Sequence, residues 1–159
     1  MKAIIDGQNA SYGYERSLSG KKAFSYEGLV EILKTTCQDY GLCSKIALPG
    51  FLLNSKKTRR CDDPDTISLI NYMADKGLII ITGDGTENDD EEMIFWAMKN
   101  NAKIISNDRG LGKHIVSLPH SEMIIAKRWL KKNTIRFRFY KGEMVLQNYL
   151  PRFKEREGK

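Results

Sequence analysis

Six acids and no base fall between Asp84 and Glu92, and two more acids, Asp6 and Asp108, each stand just beyond a short apolar run. Carboxylates hold hard divalent cations. A cation beside a phosphodiester lowers the pKa of a bound water, positions it, and stabilises charge on the leaving oxygen. Two ionised carboxylates at ~4 Å repel by about 4 kcal/mol at an effective dielectric near 20, against the roughly 5–15 kcal/mol that stabilises a whole domain. Acids gathered at one place therefore call for a cation, and oxygen donors favour Mg²⁺ or Mn²⁺. The candidate metal ligands are Asp6, Asp90 and Asp108; Asp89 would assist or activate water, and Asn9 would orient a ligand or a phosphate oxygen. Ser106 and Asn107 are weaker candidates of the same kind. Each has a plainer reading. Asp89 and Asp90 suit the first turn of a helix, Asp6 suits a turn with Gly7, Asp108 suits a loop before Arg109-Gly110, and Asn9 is common just beyond strands.

The elements that would carry these residues decide between the two readings. Lys2 to Ile5 reads as a buried strand broken by the turn chemistry of Asp6-Gly7-Gln8-Asn9. Ser25 is a good cap for a helix from Tyr26 to Tyr40 with Leu29, Val30, Ile32 and Leu33 along one face, and Gly41 stops it. Lys45 to Leu48 is a second strand, and Pro49 to Cys61 a loop. Asp62 or Asp63 caps the next helix with Pro64 in its first turn, and Gly77 closes it. Leu78 to Thr82 is a continuous apolar strand, as in a parallel sheet covered on both faces. Asn88 caps a helix to about Asn100, and Lys103 to Ser106 is a fourth strand ending at Asn107-Asp108. Strands alternating with helices predict a three-layer α/β fold with a mainly parallel sheet. Arg136 to Tyr140 and Met144 to Gln147 flank Lys141-Gly142-Glu143 as a hairpin or an added antiparallel edge. In such sheets the functional crevice lies beyond the carboxyl ends of the strands, and Asp6 and Asp108 both sit at such ends. Asp90 shares a helical face with Met93, Ile94 and Ala97 and should lean toward the sheet. Three segments then deliver carboxylates to one rim.

The 159 residues (18.2 kDa) make one ordinary domain, read as residues 1–150 with a basic tail over 151–159. No apolar run approaches the ~18 residues of a membrane span, and Met1 to Ile5 lacks the features of an export signal. Cys37, Cys43 and Cys61 match neither a zinc site nor a disulfide framework, so a reducing, cytoplasmic setting is expected, with the nucleus compatible. The net charge is +6, and from Ile125 to Lys159 eleven Lys or Arg face three acids. A basic chain with its acids concentrated in one stretch suggests a polyanion held near a cation-binding site. Lys56, Lys57, Arg59, Arg60, Arg109 and Lys113 would hold phosphates. Lys127, Arg128, Lys131 and Lys132 surround Trp129, and Arg136 and Arg138 alternate with Phe137 and Phe139, a pattern that suits single-stranded RNA. The plainer readings are a solvated charge run and an amphipathic edge with core aromatics. His114 and His120 sit at no recognisable metal spacing and read as surface histidines. The chain has no Walker loop, no strand-linked GxGxxG and no HExxH, and Asp84 to Glu92 lacks the central glycine of an EF-hand loop.

Ile4-Ile5-Asp6-Gly7-Gln8-Asn9, Asn88-Asp89-Asp90 and Ser106-Asn107-Asp108 together resemble, in order, the opening strand and DGxN turn, the paired Asp and the SND of the NYN branch of PIN-like ribonucleases, within it the Regnase/MCPIP type. The similarity runs from about residue 2 to 146. It implies a PIN-like (NYN) α/β/α fold and a Mg²⁺- or Mn²⁺-dependent endoribonuclease on single-stranded or stem-loop RNA, with Asp6, Asn9, Asp89, Asp90 and Asp108 as the catalytic set. One position departs: the family commonly has a further Asp four residues after the SND acid, where this chain has Gly112. A weaker metal site, a substitute such as Asp84 or Glu87, or a noncatalytic RNA-binding module are the alternatives this raises. The family's CCCH zinc finger is absent from the sequence. A homo-oligomer and a DNA substrate are both compatible, because phosphate contacts carry no sugar identity.

Overall fold

In the computed structural model, residues 1–53, 63–83, 89–149 and 151 are described. Five parallel strands, β1 (Lys2–Asp6), β2 (Cys43–Pro49), β3 (Ile79–Thr82), β4 (Lys103–Ile105) and β5 (Thr134–Ile135), form one sheet in the order β3-β2-β1-β4-β5. Ile5 of the central strand stands opposite Ile46 and Ile105. Successive side chains on a strand point to opposite faces, so a sheet buried on both sides needs unbroken apolar runs. Ile4 and Ile5 meet that need: both are fully buried, but in different layers. Ile5 packs with Leu29 and Ile32 of α2 (Tyr26–Gln38) and Ile70 of α3 (Pro64–Asp75). Ile4 packs with Ile94 and Ala97 of α4 (Asp89–Lys99) and Ala126 and Leu130 of α5 (His120–Asn133). The expectation of three layers around a parallel sheet holds.

The sequence order explains where the site lies. The chain moves outward from β1 to β2 and β3, then returns to the other side of β1 for β4 and β5. β1 and β4 are therefore neighbours whose connections leave in opposite directions, and a crevice opens beyond their carboxyl ends.

Local signals place the helix ends. Ser25 caps α2 by accepting from the Gly28 N–H at 3.0 Å, and Asp63 caps α3 from just before Pro64. Gly41 and Gly77 take left-handed φ values of 63° and 70° after α2 and α3, as chain-stopping glycines do.

Several expectations need correction. Asp6-Gly7-Gln8-Asn9 is not a turn: β1 passes straight into α1 (Gly7–Ser19), whose polar sequence hides its helical stripe. Helix α5 and the two-residue β5 were also unanticipated. β3 is an edge strand, so Ile81 is 59% exposed where covering on both faces was expected. At the carboxyl side β6 (Phe137–Tyr140) and β7 (Glu143–Leu146) form the hairpin, but as a separate two-stranded sheet and not an added edge of the central one. Phe137, Met144 and Leu146 bury that hairpin against the α1–α2 layer. Among the described residues no helix is long and apolar enough to cross a membrane.

Candidate active site

Asp6 is at once the last residue of β1 and the cap of α1, accepting from the Asn9 N–H at 3.3 Å. A direct strand-to-helix passage leaves no room for a side chain at the next position. A Cβ on Gly7 would lie 2.6 Å from Ile46 Cγ2 and 2.7 Å from the Ala47 carbonyl. Glycine there lets β1 and β2 stay paired while the chain turns.

The three residues after β4 divide the remaining work. Ser106, fully buried, donates its hydroxyl to Asp6 at 2.8 Å and accepts from the Asp108 N–H at 3.1 Å, so one oxygen ties the two strand ends together. The Asn107 N–H donates to Asn9 Oδ1 at 3.0 Å. Its side chain pairs in both directions with the Phe137 backbone, at 2.8 and 3.0 Å, and so pins the start of β6 to the site. Asp108 accepts from the Gly110 N–H at 2.7 Å and faces the crevice.

Asp90, in the first turn of α4, meets them from the opposite layer. His114 Nε2 lies 3.3 Å from Asp90 Oδ2, and the candidate ligand atoms of Asp90, Asp108 and His114 all lie within 4.8 Å of one another. Glu91, next along α4, accepts from the Val116 N–H at 2.8 Å and from the Ser117 N–H and hydroxyl, which fixes the segment carrying His114. Burial pushes the Asp6 carboxyl up to about 6, with Asp90 and Asp108 adding to the rise while Ser106 and the Asn9 N–H oppose it. Burial also raises Asp90; His114 pulls it down, and Asp108 pushes it up.

The crevice is a hollow of about 470 Å³ in which Asp6, Asn9, Asp90 and Asp108 meet Tyr12 and Arg16 of α1. A larger hollow, about 580 Å³, lies between α1, α2 and the β6–β7 turn, but it receives no strand end of the central sheet and no histidine. Asp89 is placed elsewhere: its Oδ1 lies against Gly83, where a Cβ would come within 2.3 Å of it. Of the expected phosphate-holding residues, Arg109, Lys113 and Lys127 line a second groove of about 380 Å³ with Lys131 and Arg136. Arg128 is exposed outside that lining. Lys56, Lys57, Arg59 and Arg60 lie outside the described residues, as do Asp84 and Glu87. Phe137 is buried and Phe139 packs edge-to-face on Tyr14, so both serve the core.

Sequence reasoning missed His114, because its partners are Asp108 six residues back and Asp90 on another helix, and only the short 3₁₀ turn Leu111–His114 joins them. It missed Tyr12 and Arg16 with the whole of α1. Ser106 carried a usable signal as a buried hydroxyl between an apolar strand and an acid.

A parallel three-layer fold with an acid-lined crevice at the switch of strand order defines the class of protein to which this chain is similar. Two solved structures of Arabidopsis thaliana nuclear proteinaceous (protein-only) RNase P 2 share that fold. One is 21% identical with a TM-score of 0.65 over 94% of this chain, the other 20% identical with a TM-score of 0.62 over 91%. This chain spans 30% and 29% of those chains. No family model matches the sequence, and no curated protein matches it.

Proposed function

We propose that this chain is a PIN/NYN-type, metal-dependent endoribonuclease that hydrolyses phosphodiester bonds of single-stranded or loop RNA, with the Regnase-type resemblance carried by its motifs. The observation that carries the reading is the meeting of Asp6, Asp90 and Asp108 in one crevice at the carboxyl ends of β1 and β4. Asp90 and Asp108 raise the proton affinity of Asp6, and Asp108 that of Asp90, so the site fits a divalent cation whose charge would favour the ionised forms. The carboxylate oxygen donors suit Mg²⁺ or Mn²⁺. Asp90 and Asp108 would hold it, with His114 as a further donor and Asp6 behind them. When bound, the cation supplies a water of lowered pKa and stabilises charge on the leaving oxygen. Asn9, its Oδ1 taken by the Asn107 N–H, has its amide N–H groups left to donate to a phosphate oxygen. Buried Ser106 holds Asp6 in place by its hydroxyl. The likeness to a protein-only RNase P favours RNA as substrate.

The test is cleavage of labelled single-stranded RNA with Mn²⁺ or Mg²⁺, alongside an EDTA control and Asp108→Asn. The amide of that variant keeps an acceptor for the Gly110 N–H, so the fold survives while a charged ligand is lost. Metal-dependent cutting that disappears in the variant is expected. Folded wild type that binds RNA without cutting it moves the reading to a noncatalytic RNA-binding module, which the missing acid at Gly112 favours.

A further inference from the structure

The two hollows at the site differ in chemistry and share one wall. Asp108 lines both the crevice of Asp6 and Asp90 and the groove between the Leu111–His114 turn and α5. The groove contains no other acid among the described residues. Its cations are Arg109, Lys113, Lys127, Lys131 and Arg136, and among the described residues none of them is in an ion pair. Lys127 and Lys131 are four apart on α5 and so fall on one face, with buried Leu130 beside them in the groove. Arg136 is held in place by donating to the Ser106 carbonyl at 3.1 Å, which aligns the groove with the strand end that carries Asp108. Gly112 matters here. A Cβ at that position would meet Lys127 Cγ at 3.6 Å and Leu130 Cδ2 at 3.8 Å, so an acid at 112 would enter the groove and offset one of its positive charges.

We propose that this groove is a binding subsite for the phosphodiester adjacent to the one cleaved. The strand then crosses Asp108, with a nucleotide in the Tyr12–Arg16 crevice on one side and a backbone phosphate on Lys127, Lys131 and Lys113 on the other. This deepens the nuclease reading and rests on it for the position of the cut bond. On this account Gly112 keeps a second acid, beyond Asp108, out of the groove.

The experiment measures binding of a fluorescein-labelled oligouridylate by anisotropy in EDTA across a KCl series. For single strands, log K against log salt has a slope of about 0.7 per phosphate neutralised. Replacing Lys127 and Lys131 together by Ala should lower that slope by about 1.4. A charge-matched control, Lys2→Ala with Lys34→Ala, removes exposed lysines at the far end of β1 and on α2 and should change it far less. Gly112→Asp, checked by thermal melting, should lower the slope by about 0.7. Equal slopes for the two lysine pairs, or a folded Gly112→Asp with the wild-type slope, overturn the subsite and leave cleavage by the wild type unaffected as a finding. The expected slopes without metal-dependent cutting keep the subsite and remove the nuclease.

Discussion

Asp6 is the residue whose environment has the largest consequence. Its carboxyl titrates near 3.8 in an unfolded chain and at about 6 in place, so the folded protein binds more protons than the unfolded one between those values. Stability without metal therefore falls as pH rises through that window, and above it the charged carboxylate costs on the order of 3 kcal/mol. Asp6→Asn keeps a cap for α1 and removes the charge. In EDTA it should melt at a higher temperature than wild type at pH 7.5, with the advantage gone near pH 4; a pH-independent difference would remove the electrostatic account. His114 gives a second prediction. An imidazole suits Mn²⁺ better than Mg²⁺. His114→Ala should therefore raise the Mn²⁺ concentration for half-maximal cleavage more than the Mg²⁺ concentration, as read from metal titrations of rate. The acids were legible in the sequence because three segments deliver carboxylates to one rim, although each alone has a plainer use. His114 was not, because its role arises from proximity across layers, to which spacing along the chain is blind.

At the scale of elements, the site depends on joints more than on long helices. Gly7 is one: alanine there meets Ile46 and the Ala47 carbonyl far inside contact distance. Gly7→Ala should destabilise by about 1–3 kcal/mol, seen as a lower denaturant midpoint with an unchanged slope. Asn107 is another. Asn107→Ala removes both bonds to the Phe137 backbone and should cost about 1–3 kcal/mol. Faster amide exchange confined to Phe137–Leu146 would show that the hairpin is held by that side chain; uniform loosening would show otherwise. Elements with strong periodicity and punctuation, such as α2 between Ser25 and Gly41, could be read directly from the residues. α1 could not, since Gly7, Gln8 and Asn9 read as turn formers, and packing against β2, α2 and the hairpin holds them as a helix. β5 is two residues long, below the length at which a pattern exists.

For the whole molecule, a cation that binds only the folded state must stabilise it. At a concentration a hundred times Kd the gain is about 2.7 kcal/mol. Adding Mn²⁺ to metal-free wild type should raise the melting temperature by several degrees, and Asp108→Asn should abolish most of that rise. A shift retained in the variant would place the cation elsewhere. The three-layer arrangement was legible because apolar strands alternate with amphipathic helices. The strand order, and with it the switch between β1 and β4, comes from pairings between residues far apart in sequence, which no local pattern records.

That distance has a consequence for when activity can exist. Ser106 and Asp6 are separated by 100 positions, and Asn107 and Asn9 by 98. A chain is made from its amino end, so Asp6 emerges long before Ser106, Asp108 and His114 exist to meet it. The acid-lined crevice can close only after residue 114 has been made, and an unfinished chain still on the ribosome carries Asp6 and Asn9 without their partners.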